Sequence, residues 1–487
     1  WIVGCRRILR NAFSDGVVTG VMPRNARMVG DFGDWRRCQA PAGTEELFSP
    51  AGLRAMIVPL FLEQLLVMLV GMSDTLVVSH AGEAAVSGVS LVNQFNNIFI
   101  YLFTALASGG SVVISQYLGR GEPGNAGRSA SQLLLFAALF STLAGALILL
   151  GNERILRLMF GRTEEDVMRE CVTYLRISAY SYPAIAIYSA GAALFRSLGR
   201  TRVTLYLSAA ANVINIAGNL VGVFWLHAGV AGVAYPSLLA RTFSAAAVTL
   251  FCFRVRGGAA CRVRWVFQTD GGIMRRILGV AVPNGLENGT FQLVKVALSS
   301  VVALFGTSQI AANGAAQSIW SLAALAGTAM GPAFIAVIGR CMGGGDTRAA
   351  DFYFRRLIKL TLLFSSAWNL FILLLTPPLM ALYALEPETK RLVIRLVLIH
   401  NVFNATAFPL SGALSDGLRA AGDVKFTMCV SVFSTAAVRL LLSCLLGIGL
   451  GLGVTGIALA MACDWVFRAA VFYGRMRSGR WKAFRVV

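Results

Sequence analysis

The sequence predicts an all-α polytopic membrane protein, with twelve transmembrane helices in two pseudo-symmetric six-helix bundles. Three observations predict it. The 487 residues are 56% hydrophobic and 14% charged, with a mean hydropathy of +0.69, whereas soluble domains carry about 25% charged residues. Apolar stretches near or above the ~20 residues that a spanning helix needs recur twelve times along the chain. The chain also repeats itself at a constant offset of 224 residues. Val58-Pro59-Leu60-Phe61-Leu62-Glu63-Gln64 returns as Val282-Pro283-Asn284-Gly285-Leu286-Glu287-Asn288, Gly82 as Gly306, Asn93 as Gln317 and Gly119 as Gly343. Val230-Ala231-Gly232-Val233-Ala234 returns as Val454-Thr455-Gly456-Ile457-Ala458.

Taken in order, residues 1–46 mix arginines with Gly, Asp and Pro and lack the apolar core of a cleavable leader, so they read as a disordered, basic, cytoplasmic tail. A first lobe over 47–255 follows, with spans at 53–78, 84–117, 128–150, 168–195, 203–225 and 229–253. A cytoplasmic connector occupies 256–274. The second lobe, 275–478, has spans at 275–304, 308–340, 355–376, 391–415, 425–447 and 452–474, and 479–487 forms a cytoplasmic tail. Lys and Arg gather in alternate links, among them Arg196 to Arg202, Arg254 to Arg276 and Arg340 to Lys359. The positive-inside rule then puts both termini in the cytoplasm. With six spans each, both halves enter from the same side, so the repeats are parallel and a cavity opening alternately to each side is the expected mechanism.

Other function classes lack support in the sequence. The net charge of +20 sits in short links rather than along one polar face, which argues against nucleic acid. The nine cysteines form no CxxC pair and the three histidines no HExxH spacing, so neither metal chemistry nor a disulfide framework is expected. No cofactor and no catalytic cluster is expected either. The partners that fit are membrane lipid and a small molecule, with the protein a monomer.

Acids inside apolar spans cost roughly 2.5–3.5 kcal/mol or more and need a reason. Glu63 and Glu287 are duplicated, four residues after Pro59 and Pro283. A carboxyl in apolar surroundings can load and unload a cation, and loading changes the cost of burying it, which lets a gradient bias two states. The bland alternative is a hydrogen-bonded acid that braces its helix. Asp74 lies eleven residues beyond Glu63, on nearly the same helical face and about 16 Å along it, and is the third candidate for ion coupling. Lys295, Arg439 and Asp464 also fall inside spans. Arg439 is expected to pair with Asp464 on the adjacent helix and Lys295 to act on a nearby acid, unless both cations snorkel or form static pairs. The amides Asn93, Gln94, Asn96 and Asn97 should face the lobe interior, since lipid offers them no partners. Gln317 occupies the repeat position of Asn93, and Arg439 that of Asn215.

Several short runs, in this order and duplicated, resemble the multidrug and toxin extrusion (MATE) family in bacterial form. They are Pro59 through Asp74-Thr75, Gly82 followed by Ala84-Ala85-Val86-Ser87, Gln116-Tyr117-Leu118-Gly119-Arg120 and Arg196-Ser197-Leu198-Gly199-Arg200-Thr201-Arg202. The second half adds Gly306 to Asn313 and Arg419-Ala420-Ala421-Gly422-Asp423-Val424-Lys425. The resemblance covers about residues 47–478. It implies twelve helices in two lobes of an inner-membrane protein, and export of bulky, often cationic compounds driven by inward flow of H⁺ or Na⁺. Two positions depart from the family pattern. Asn215-Ile216-Ala217-Gly218-Asn219 ends in an amide where members often carry an acid, and Phe408 stands where another branch has an acid in helix 10. A flippase for lipid-linked oligosaccharides, from the same wider superfamily, is the alternative; it would use a cationic cavity, which Lys295 and Arg439 keep open.

Overall fold

The structure, a computed structural model, describes residues 48–160, 164–255, 259–382 and 386–487; the tail expected over 1–46 lies outside them. Among the described residues there are helices and no strand. Helices α1 (Pro50–Ser79), α2 (Glu83–Gly119) and α3 (Pro123–Phe160) are followed by a fourth span in two pieces, α4 (Glu165–Tyr180) and α5 (Tyr182–Ser197). Next come α6 (Thr201–Leu220), which widens into a π-helical turn over Val221–Trp225, α7 (Ala231–Phe253) and the short α8 (Val263–Phe267). The second half runs α9 (Gly271–Ala303), α10 (Thr307–Thr328), α11 (Gly331–Gly343), α12 (Thr347–Leu382), α13 (Pro387–Ala405) and α14 (Ala407–Ala421). It closes with α15 (Val424–Phe433), a π turn over Ser434–Arg439, α16 (Leu440–Cys444), a second π turn over Leu445–Gly449, and α17 (Gly453–Arg477).

Among the described residues ten spans are long and apolar enough to cross a membrane, three of them made of consecutive helices: α10–α11, α13–α14 and α15–α16 with their π turns. The other two of the twelve expected spans are the α4–α5 pair, broken at Ser181, and α9, which carries Arg275, Arg276, Glu287 and Lys295. Breaks inside spans have a common cause. The helix is interrupted at Ser181, near Met330 and at Thr406, and Pro183, Pro332 or Pro409 follows within three residues of each. A proline offers no N–H and crowds the preceding turn, so a helix restarts more easily than it continues.

The chain divides into two compact units, Ala51–Gly289 in one and Thr290–Val486 with the segment up to Pro50 in the other. The division falls within α9, past Pro283, whereas the sequence division falls at the connector over 256–274. Close packing on α2 explains why the first part of α9 groups with the N-terminal unit. A Cβ on Gly109 would lie 2.8 Å from the Ala281 Cβ and the Ile277 carbonyl oxygen, and Arg276 Nη1 donates to the Tyr117 hydroxyl at 2.5 Å.

The duplication is visible in the backbone. Gly82 and Gly306 hold φ of +109° and +90°, Gly121 and Gly345 +74° and +77°, and Gly229 and Gly453 +58° and +57°. Each pair is separated by the same offset, and glycine holds such angles at the least cost. The repeated Gly232 and Gly456 serve close approach instead. A Cβ on Gly232 would sit 2.6 Å from the Gly222 carbonyl oxygen, and one on Gly456 2.6 Å from the Leu446 carbonyl carbon. In the C-terminal unit the apolar core runs through Val294, Leu298, Ala312, Ala316, Ile319, Val393, Val397 and Val454.

Candidate functional site

Both acids of α1 meet the same helix, as their spacing on one face predicts. Glu63 is 3% exposed and accepts from Arg196 Nη2 at 2.7 Å, from the Thr204 hydroxyl at 2.8 Å and from the Tyr188 hydroxyl at 3.3 Å. The expectation of an apolar environment is therefore corrected: this carboxylate is ion-paired and hydrogen-bonded. The arrangement ties α1 to the end of α5 and the first turns of α6, and Thr201 adds a bond to the Met56 carbonyl at 2.9 Å. Removing one member of a buried pair leaves the other charge uncompensated, at a cost of about 3–5 kcal/mol.

Asp74 sits farther along α1 and is half-buried. Asn219 Nδ2 donates to its carboxylate at 2.6 Å and to Asn215 Oδ1 at 3.1 Å, while Asn215 Nδ2 donates to the Ser237 hydroxyl at 2.8 Å. Asn219 is 0% exposed, and its own Oδ1 is buried with no hydrogen-bond partner among the described residues. The cluster thus gathers carboxylate, amide and hydroxyl oxygens, with one acceptor left over. Hard cations and protons bind to such oxygens. Arg241 acts on Asp74 electrostatically without an ion pair, and its Nη1 instead donates to Ser181 at 2.7 Å, at the break in the fourth span. Farther in, the Tyr182 hydroxyl donates to Asn96 at 2.8 Å and the Tyr174 hydroxyl to Asn93 at 3.3 Å.

The C-terminal unit buries charge of the opposite balance. Asp464 is fully buried and faces two guanidiniums, Arg439 at 2.9 Å and Arg468 at 3.3 Å. Ser434 also donates to its carboxylate. The pairing expected between Arg439 and Asp464 is present, with Arg468 as a further member. The π turn makes this possible. Ser434 and Arg439 are five residues apart, which an α-helix would set about 140° around its axis, whereas i→i+5 bonding stacks them on one face. Arg439 also lies 5.0 Å over the Phe291 ring.

The remaining predicted residues divide by exposure. Asn215 and Asn219 are buried in the Asp74 cluster. Glu287 and Gln317 are half-buried. Asn93, Gln94 and Asn97 are exposed, and of the amide run only Asn96 is buried. This corrects the expectation for Gln94 and Asn97, while Asn93 still reaches the buried Tyr174 hydroxyl: four amides spread over five residues cannot share one face when each step turns about 100°. Lys295 is exposed beside Val296 and Leu293, with no ion pair among the described residues, so its expected action on a buried acid is corrected too. Sequence reasoning missed Arg196, Ser237, Arg241, Arg468 and His400. Arg241 and Arg468 could have been found as charges inside apolar spans. Arg196 could not, because it also fits as a link arginine.

Comparison with known proteins bears on this geometry. The MatE family model matches residues 59–221 and 283–445, two ranges set apart by the repeat offset. An uncharacterized transporter of Bacillus subtilis, YisQ, is 27% identical over 87% of this chain and 93% of its own. A probable multidrug resistance protein NorM of Thermotoga maritima is 25% identical over 88% and 92%, and human multidrug and toxin extrusion protein 1 is 25% identical over 88% and 75%. An outward-facing multidrug resistance MATE family transporter superposes with a TM-score of 0.82 over 89% of this chain and 96% of that one, at 20% identity.

Proposed function

Because the chain belongs to the MatE family of multidrug and toxin extrusion transporters, which are not enzymes, we propose that it is a secondary active exporter of organic cations or related amphipathic compounds, driven by H⁺ or Na⁺ antiport. It works as a monomer by alternating access in a bacterial inner membrane, with both termini in the cytoplasm. The observation that carries the coupling assignment is the Asp74 cluster. Among the described residues a half-buried carboxylate stands without an ion pair beside two buried amides and a hydroxyl. A bound H⁺ or Na⁺ neutralises that carboxylate and lowers the cost of enclosing it, so binding shifts the balance between two conformations. Glu63 already has its counter-charge in Arg196, which suits a latch joining α1, α5 and α6 better than a site that loads and unloads. Glu287, half-buried at the repeat position, stands as a secondary coupling candidate.

The test is dye efflux in vesicles under imposed proton or sodium gradients, with Asp74→Asn and Glu63→Gln beside the parent. Asp74→Asn should lower gradient-driven efflux about hundredfold, on the order of 2.7 kcal/mol in barrier. Efflux by Asp74→Asn at the parent rate would remove the assignment. The flippase reading is favoured by one observation, the paired guanidiniums of Arg439 and Arg468. Translocation of a labelled lipid-linked oligosaccharide without any ion gradient would establish it.

A further inference from the structure

We propose that the interior of the C-terminal unit holds a binding site for an oxyanion, principally a carboxylate, carried on an aromatic molecule. The inference rests on the transport reading for what delivers that molecule, and it narrows the substrate class to amphiphiles bearing a negative group, zwitterions included. Three observations carry it.

The first is an excess of buried positive charge. Two guanidiniums share the one carboxylate of Asp464, whose two oxygens are occupied by Ser434 on one side and by Arg439 and Arg468 on the other. One formal charge remains over, and the Nε atoms of both arginines are buried without a hydrogen-bond partner among the described residues. A cationic ligand would be repelled here, whereas an oxyanion accepts several such donors at once.

The second is a set of unpartnered polar side chains on α13. His400 is 3% exposed and Asn404 is 1% exposed. Both ring nitrogens of the first and both polar side-chain atoms of the second are buried without partners among the described residues. They are four residues apart and so lie on one helical face, and His400 is within electrostatic reach of Arg439. A buried donor with no acceptor is costly, and an apolar surround supplies none.

The third is a packed aromatic cluster, part of the core around Ala407 and Met461. Trp320 and Trp465 stack with centroids 6.1 Å apart and planes 11° apart, and Phe408 stands edge-on to Trp465 at 5.1 Å. Trp465 lies three residues before Arg468 on α17, and Trp320 Nε1 is itself buried without a partner. At the repeat offset the N-terminal unit has Asn215 for Arg439, Ala240 for Asp464 and Ser244 for Arg468, so the cationic excess belongs to the second half alone.

The test uses the purified full chain in lipid nanodiscs and two probes with one ring system. Rhodamine B carries a free carboxylate; its ethyl ester does not. Binding is read from quenching of tryptophan fluorescence. The parent should bind the free acid at least about tenfold more tightly than the ester, as expected for a charge-assisted contact. Arg468→Gln leaves a neutral Arg439–Asp464 pair and should bring the affinity ratio close to one, while Arg468→Lys should keep part of it. No preference in the parent overturns the proposal. So does an unchanged ratio in an Arg468→Gln protein with the parent's helical signal. Inorganic sulfate displacing the free acid at equal concentration overturns the assignment to an aromatic carrier. Gradient-driven efflux of both dyes with an unchanged ratio in Arg468→Gln would overturn this site and leave transport standing. A preference for the free acid without efflux of either dye would support the site and refute the transport reading.

Discussion

Asn215 and Arg439 occupy matching places in the two halves of the chain, and the interiors built around them differ in sign. In the N-terminal unit Asn215 belongs to a neutral frame of amides and hydroxyls around Asp74, a carboxylate that makes no ion pair among the described residues. In the C-terminal unit the same backbone position delivers a guanidinium, and a second one joins it on Asp464. The glycine turns and close helix crossings are kept in both halves, while the chemistry they hold is not. Duplication has preserved the scaffold and left the polar interior free to diverge. An acid short of cations can respond to an ion gradient, and cations short of an acid can hold an anionic group.

The largest expected effect comes from removing the shared acid of the second half. Asp464→Asn leaves two buried guanidiniums without a counter-charge and should destabilise the protein by about 3–5 kcal/mol, read as a fall in thermal unfolding temperature in detergent. A stability equal to the parent's would mean that the two interiors do not differ as described. In the first half, Glu63→Gln should cost roughly 2 kcal/mol, less because Arg196 is 22% exposed and water relieves its lost partner. Removing both partners by Glu63→Gln with Arg196→Met should recover part of that loss; additive losses would break the idea of a pair. The smallest effect is expected at Ser237→Ala, about 1 kcal/mol for one buried hydrogen bond. Its measured consequence should be a few-fold weaker apparent affinity for the driving ion, with the maximal efflux rate kept.

The fold was legible because its signals are local or periodic. Span length, apolar composition and the 224-residue offset do not depend on which side chains meet. The shared face of Glu63 and Asp74 followed from helical geometry, and the Arg439–Asp464 pair from the cost of burying either alone. The illegible part is long-range. Arg196 meets Glu63 across 133 positions, and nothing in a basic link after the fourth span separates a topological arginine from one committed to an acid. The inward expectation for Gln94 and Asn97 failed for a different reason. Composition says that amides need partners but not which of several adjacent ones a helix turns inward. Lys295 shows that a charge within an apolar stretch can lie exposed.

The widened turn over Ser434–Arg439 has an evolutionary corollary. A turn of this kind holds one residue more than the α-helical turn it replaces. Deleting one residue between Ser434 and Arg439 would therefore restore an α-helical turn, with the two then four residues apart and only about 40° around the axis. Arg439 would keep its place beside Ser434 and opposite Asp464. Relatives that lose one residue here can thus keep the same group against the acid, so this turn tolerates a change of length that an unbroken α-helix would pass on as a rotation of about 100°.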